Sequence, residues 1–262
     1  MEYSEFQTKY SAKTPDENGY IAYSDQENDT WARLYERQMS FITDAACEEY
    51  VSGMRQLDLP ADRTPQCRDI STTLYAATGW RVQPVPALID VNLFFSMLSQ
   101  RIFPAASFMR RPEEFDYLSE PDLFHEMFGH GPLLTHPDFA DFTAAYGKLG
   151  LEANEEERKI LARLYWYTVE FGLIQKPGHT LAVYGAGIAS SIGETQRALH
   201  SDDVERIPFD LDRVLRTPFR IDKMQPHYFV LSHFSDLFEV VEGDLMRHVR
   251  EVIADEARAN AA

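Results

Sequence analysis

Only two cysteines, Cys47 and Cys67, occur in 262 residues. That is too few for the disulfide lattice of a small secreted domain, so both are read as reduced thiols. Long hydrophobic runs are missing as well. Nowhere do about 18 uncharged apolar residues follow one another, and the N-terminal MEYSEFQTKYSAKTPDENGY holds no apolar signal-peptide core. No membrane association and a cytoplasmic location are therefore expected. Basic residues are in deficit: 25 Lys and Arg against 42 Asp and Glu give a formal charge of −17. This excludes duplex-scale nucleic-acid binding, which neutralises phosphates with Lys and Arg. Repeats, low-complexity blocks and Gly/Ser linkers are also lacking, so nothing divides the chain into several domains.

What is present suits one sizeable core, with 44% hydrophobic and 13% aromatic residues. Residues 1–30 are polar and lack helical periodicity, which predicts an extended arm laid over a body spanning 31–262. From Trp31 the apolar residues Leu34, Tyr35, Met39, Ile42, Ala46, Tyr50 and Met54 recur at spacings of three and four. They predict one helix to about Leu57, capped by Asp29 or Thr30. A second helix should end at Gly79. WRVQPVPALI is extended because each residue before a proline is driven out of the α region. VNLFFSMLSQRIF reads as helix, and further helical patterns cover 122–129, 137–149, 155–174, 188–199, 210–216 and 234–257. Strand signals are short, near 103–109, 181–184 and 224–230. The fold class is mainly α with a minor β component, in a single domain.

The densest group of ligand-type residues is PDLFHEMFGHGPLLTHPDF, with His125, Glu126, His130 and His136. A zinc-protease box places its histidines at i and i+4, about 40° apart around a helix, whereas His125 and His130 at i and i+5 lie about 140° apart. Gly129, Gly131 and Pro132 offer a way out by ending the helix and freeing the His130 ring to swing back. The alternative is a pair of partly buried histidines satisfied by hydrogen bonds. Glu170 is the best third donor, because a carboxylate among the apolar surface of EEERKILARLYWYTVEFGLI needs a cation. A salt bridge to Arg163, or plain exposure, would serve as well. Two His and one Glu suit a zinc hydrolase with Glu126 as base, or a non-haem Fe(II) oxygenase with open coordination positions. Phe94, Phe95, Phe124, Trp166 and Phe171 lean toward a flat aromatic ligand. A helical binding module with structural His and Glu is a third reading. VYGAGIASSIGETQRAL permits close backbone approach but lacks the phosphate-loop lysine, and Arg110 is a candidate for gripping a carboxylate.

The segments WRVQPVPALI, EPDLFHEMFGHGPLL, LARLYWYTVEFGLI, YGAGIASSIGETQ and MQPHYFV, in this order, resemble the pterin-dependent aromatic amino acid hydroxylases, most closely bacterial members acting on phenylalanine. The resemblance implies hydroxylation of L-phenylalanine to L-tyrosine with O2 and a tetrahydropterin, at Fe(II) held by His125, His130 and Glu170. It also implies that Phe94 stacks on the pterin, with Ile89, Glu126, Ala162 and Tyr165 around it. Arg110 would clamp the amino acid carboxylate and Asp122 would orient Arg110. Trp166, Phe171 and Gly187 would border the amino acid, and Ser190 would sit beside His125. Tryptophan or tyrosine hydroxylation is the alternative within the family, although Ile221 stands where tyrosine hydroxylases typically carry an Asp. Pro104 replaces a His of animal members and Leu118 replaces a Thr, so neither of those contacts is carried over. Neither a regulatory domain nor a tetramerisation helix is recognisable, so a bare catalytic domain, monomeric or weakly dimeric, is expected.

Overall fold

The structure is a computed structural model that describes residues 10–86, 89–116, 118, 120–178 and 180–260. Helix α1 spans Asp25–Ala45. It begins earlier than the predicted Asp29 or Thr30 because Ser24 and Glu27 form a reciprocal capping box. The turn that follows carries no apolar residue, so periodicity does not reveal it. Trp31, Leu34 and Ile42 line its buried stripe, and the Trp31 indole donates to the Pro60 carbonyl at 2.7 Å.

The predicted single helix to Leu57 is two. Ala46 adopts an extended conformation and bridges to Val183, and the Cys47 amide donates to the Val183 carbonyl at 2.9 Å. Helix α2, Glu48–Leu57, then starts on a new axis. Helix α3, Cys67–Thr78, ends as predicted at Gly79, whose φ of 78° closes the last turn without a Cβ penalty.

Strand β1, Arg81–Val85, helix α4, Val91–Ser99, and strand β2, Ile102–Ala106, form a parallel crossover pair. Asp90 caps α4 through the amides of Asn92 and Leu93. The predicted continuation of α4 into RIF fails because the chain turns at Arg101, with φ 58°, and pairs with β1 instead. Residues 87 and 88 of WRVQPVPALI lie outside the described residues.

Helices α5, Pro137–Glu152, and α6, Glu155–Tyr165, come next. Beyond α6 the predicted helix to 174 gives way to strand β3, Leu173–Gln175, which pairs with β4, Leu181–Val183. The predicted 188–199 helix is two pieces, α7, Ala186–Ala189, and α8, Ile192–His200, parted where the Ser191 side chain caps α8. Strand β5, Glu205–Pro208, helix α9, Leu211–Arg216, and strand β6, His227–Leu231, follow. The 234–257 helix is also two, α10, Ser235–Glu242, and α11, Leu245–Asn260, broken after Gly243 takes an extended conformation.

The larger sheet runs β4-β3-β6-β5, with β3 and β4 antiparallel and the other pairs parallel. Strands β3 and β5 escape prediction because three or four residues are too few to show alternation. The mainly helical class with minor sheets is as expected. A single large core joins Trp31, Tyr50, Phe124, Phe128, Leu161, Val183 and Val249, so no second globular unit is seen among the described residues.

Candidate metal centre

Two widened helical turns build the site. His125–His130 and Trp166–Glu170 are both π-helical, closed by i+5 bonds from the Gly131 amide to the Glu126 carbonyl, 3.2 Å, and from the Phe171 amide to the Trp166 carbonyl, 2.9 Å. This corrects the predicted escape for His130. The helix does end at His130, with Gly131 as its C-cap, but the ending is not what turns the ring back, since Gly131 keeps helical angles of −50° and −48°. The turn widens, and residues five apart come onto one face. Pro132 shows why the turn closes there: it has no N–H to give the Phe128 carbonyl, and the Tyr50 hydroxyl donates to that oxygen instead. Gly53 lets α2 come this close, since a Cβ there would lie 2.0 Å from the Pro132 oxygen.

The widened turns bring together the three predicted ligands. His125 Nε2 and His130 Nε2 are 3.1 Å apart, and Glu170 lies 3.2 Å from His130 Nε2 and 3.5 Å from His125 Nε2. Donors at right angles around an ion with bonds of about 2.1 Å stand about 3.0 Å apart, so the array has the dimensions of one face of a coordination shell. Arg163 is not the partner of Glu170; its Nη1 donates to the Leu215 carbonyl and to Glu256, each at 2.7 Å. His136 is not in the cluster; its ring packs on Phe234.

Ser190 sets the protonation of the first imidazole. Its hydroxyl donates to the Ala186 carbonyl at 2.8 Å, so toward His125 Nδ1, 3.0 Å away, it can only accept. The Nδ1 therefore carries the hydrogen, and the lone pair of Nε2 faces His130 and Glu170. Burial pushes His125 down to about 4, which keeps it neutral. Burial would raise Glu170, yet the two imidazoles hold its carboxyl below the usual range. Burial would likewise lower His130, but Glu170 outweighs it and the imidazole moves up. Glu126, backed onto the Ala106 amide at 3.4 Å, is pushed up to about 8 by burial.

Arg110 lies beside this cluster, almost fully buried. Asp122 holds it side-on, Nε to Oδ2 at 2.8 Å and Nη2 to Oδ1 at 2.9 Å, and also accepts the His125 amide at 3.1 Å. Among the described residues, the outer edge of the guanidinium donates to the Phe115 carbonyl, at 3.4 Å. Phe94 stands edge-on to Tyr165, ring centres 5.7 Å apart, and Tyr165 lies 6.4 Å from the His130 ring. Ala162 is three residues before Tyr165 on α6, and half-buried Ile89 precedes the α4 cap. Trp166 packs on Phe171 at 4.6 Å, and a Cβ on Gly187 would meet Phe171 Cζ at 2.8 Å, so only glycine admits that ring. Phe95 and Phe124 are buried and back onto site residues: Phe95 packs on Phe94 and Tyr146, and Phe124 lies under the Arg110 guanidinium and packs on Trp31 and Phe128. Pro104 is buried within β2, and Leu118 packs against Tyr10 and Phe108.

Three neighbours were not anticipated. Phe103 has its ring 5.0 Å from His130, Phe219 stacks on Trp166 at 4.5 Å, and Gln225 accepts the Trp166 indole N–H at 3.0 Å. A glutamine before Pro226 in MQPHYFV was the available signal for the last.

Residues 2–251 match the sequence profile described as biopterin-dependent aromatic amino acid hydroxylase. The phenylalanine-4-hydroxylase of Vibrio cholerae is 50% identical over 248 residues, covering 95% of this chain and 86% of that protein. The apo structure of a cold-active phenylalanine hydroxylase from Colwellia psychrerythraea superposes with a TM-score of 0.90 at 50% identity, covering 95% of each chain. That of the Chromobacterium violaceum phenylalanine hydroxylase with bound oxidised Fe(III) superposes with a TM-score of 0.86 at 42% identity, covering 92% of this chain and 90% of the other. With its two imidazoles and one carboxylate converging at paired π-turns, the chain belongs to the biopterin-dependent aromatic amino acid hydroxylases.

Proposed function

We propose that the chain is a phenylalanine 4-monooxygenase that converts L-phenylalanine and O2 to L-tyrosine with a tetrahydropterin as the reductant. The observation that carries this is the convergence of His125, His130 and Glu170, with metal-ligand spacing, in a chain half identical to phenylalanine-4-hydroxylases. The proposed metal is iron, as Fe(II) in the working state, in line with the iron-bound relative. Family membership removes the grounds for the zinc hydrolase and for the non-catalytic binding module.

Bound iron and tetrahydropterin would supply the two-electron activation of O2. The chain's own residues do the rest. Ser190 keeps His125 in the ligating tautomer, and the widened turns hold the three donors close enough together that they would bind one metal ion. Asp122 occupies one edge of Arg110 and leaves the outer edge, Nη1 and Nη2, to fork onto the amino acid carboxylate. Trp166, Phe171 and Gly187 would border its ring and exclude water. Phe94 would stack on the pterin, with Ile89, Glu126, Ala162 and Tyr165 around it.

Residues 31–262 form the proposed catalytic body, with 1–30 as an arm. Its support is that the Lys13 amide donates to Ser107 at 2.9 Å and Tyr10 stacks on Phe108 at 4.0 Å. The last residues of that arm, from Asp25, are the first turns of α1. Among the described residues no helix is long and apolar enough to cross a membrane. A monomer or weak dimer in the cytoplasm belongs to the same proposal.

The deciding experiment supplies the purified protein with L-phenylalanine, tetrahydropterin and O2, and measures tyrosine, oxygen uptake and metal content. Tyrosine formation that requires pterin, with iron bound, is expected. Zinc without oxygen uptake would overturn the reading, and faster turnover of tryptophan or tyrosine would move the chain within its family.

A further inference from the structure

Gln225 belongs to none of the roles assigned above, yet it is 2% exposed and every polar atom of it is engaged. Its Nε2 donates to the carbonyls of Arg220, 3.2 Å, and Lys223, 2.9 Å. That fixes the amide's orientation: only Oε1 remains to face Trp166 Nε1, at 3.0 Å, and an N–H is the partner it requires. The main chain of Gln225 is held too. Its amide donates to Glu194 at 3.3 Å, its carbonyl accepts from Arg197 Nε at 3.1 Å, and Tyr228 donates to the other Glu194 oxygen at 2.5 Å. Helix α8 and strand β6 thus anchor one end of the irregular 217–226 segment, and Gln225 passes that anchorage to a single indole.

Trp166 needs such an anchor. Phe219 stacks on it at 4.5 Å and 15°, and Phe171 tilts against it at 4.6 Å and 37°. Stacking resists tilting of the indole but has little directional preference for rotation within the ring plane. A hydrogen bond to Nε1 restrains that rotation. An aromatic substrate bordered by Trp166 would find its space limited by the outline of the indole, which in-plane rotation shifts, so such rotation would alter the width available to its ring.

We propose that Gln225 is a positioning residue that sets, through Trp166, how large an aromatic ring the amino acid pocket accepts. This rests on the proposed function, with Trp166 beside the amino acid.

The test compares kcat/KM for phenylalanine and 3-methylphenylalanine in the wild type, Gln225→Met, Trp166→Phe and the double variant. Gln225→Met should reduce the preference for the smaller ring about tenfold, the scale of one methyl group in a pocket. Iron content and pterin KM should not change. In the Trp166→Phe background, which has no indole N–H, Gln225→Met should change the preference less than about twofold, because coupled sites are non-additive. An equal effect in both backgrounds would reduce Gln225 to a clamp on its own segment and overturn the proposal.

Indole 15N–1H spectra give a readout independent of activity. Of the three tryptophans, Trp31 donates to Pro60, Trp80 Nε1 has no partner among the described residues, and Trp166 donates to Gln225. Only the Trp166 signal should move upfield in Gln225→Met. Should that variant fail to fold, Gln225→Glu in its protonated form, which keeps an O–H toward the Arg220 and Lys223 carbonyls and an oxygen toward the indole, must retain the ring preference at the acid end of the activity range; its loss there would equally overturn the proposal. A wild-type protein that forms no tyrosine defeats the functional reading. An active wild type with unchanged preference in Gln225→Met defeats this inference alone.

Discussion

Asp122 binds Arg110 through two parallel hydrogen bonds, 2.8 and 2.9 Å, in a setting where the carboxylate has no solvent exposure. Removing one partner would leave an unpaired buried charge, so Asp122→Ala should destabilise the fold by about 3–5 kcal/mol. Arg110→Lys keeps the charge but cannot hold Asp122 and a substrate carboxylate with two planar edges. The phenylalanine KM should rise by at least about tenfold while iron content stays constant. Steady-state kinetics with metal analysis checks both, and an unchanged KM would return Arg110 to a purely structural role.

The same pair predicts an acid limit. Burial would raise the Asp122 carboxyl, but Arg110 and its hydrogen bonds overcome this and hold it below the usual range. A depressed folded-state value means the stabilisation is complete above the unfolded value, about 3.9, and is lost as pH falls through the folded one. Asp122→Asn should therefore flatten the fall in stability below about pH 4, seen by urea melts across that range. An unaltered acid slope would show that other carboxylates control acid unfolding.

Metal retention should separate ligands from the residue that orients one of them. His125→Ala, His130→Ala and Glu170→Ala should each lose most iron and nearly all turnover while keeping the helical circular dichroism signal. Ser190→Ala removes only the acceptor that keeps hydrogen on His125 Nδ1, so iron affinity should fall about 10–100-fold. Competition with a chelator measures it. Full occupancy in Glu170→Ala would remove it from the ligand set.

On the pterin side, Phe94→Ala should weaken cofactor binding by about 1–3 kcal/mol, a tenfold to hundredfold rise in pterin KM, with a much smaller change for phenylalanine. Glu126→Gln keeps the shape and should retain measurable turnover with a poorer pterin KM. Complete loss of turnover with normal iron and saturating pterin would make Glu126 essential to the chemistry itself.

Much of the site was legible because its residue types are unusual where they occur: a carboxylate in the apolar run around Glu170, and histidines beside Gly-His-Gly-Pro. Their geometry was less so. A reading at 3.6 residues per turn puts His125 and His130 on different faces, and the remedy, a π-turn supported by Tyr50 from another helix, is a tertiary event that no local pattern announces. The same reason explains the divided helices. Ala46 leaves the helix because Val183 offers it a partner from far along the chain, and apolar spacing continues across the break. Strands of three residues, such as β3, are defined by their neighbours alone. Gln225 is invisible to periodicity because its importance lies in what its amide touches.

Tyr50 provides a test of whether the widened turn needs outside support. Its hydroxyl is buried and donates to the Phe128 carbonyl, which Pro132 cannot serve. Tyr50→Phe removes one oxygen and leaves that carbonyl without a partner, at a cost of about 1–3 kcal/mol, read as a lower urea midpoint. The ring remains and continues to pack on Phe128, so cavity formation should contribute little. If the bond also holds His130 in phase with His125, iron affinity should fall in Tyr50→Phe even under conditions where the variant is fully folded. Loss of stability with unchanged iron affinity would mean that packing alone keeps the turn wide. Loss of both would tie the five-residue histidine spacing to a hydroxyl on α2.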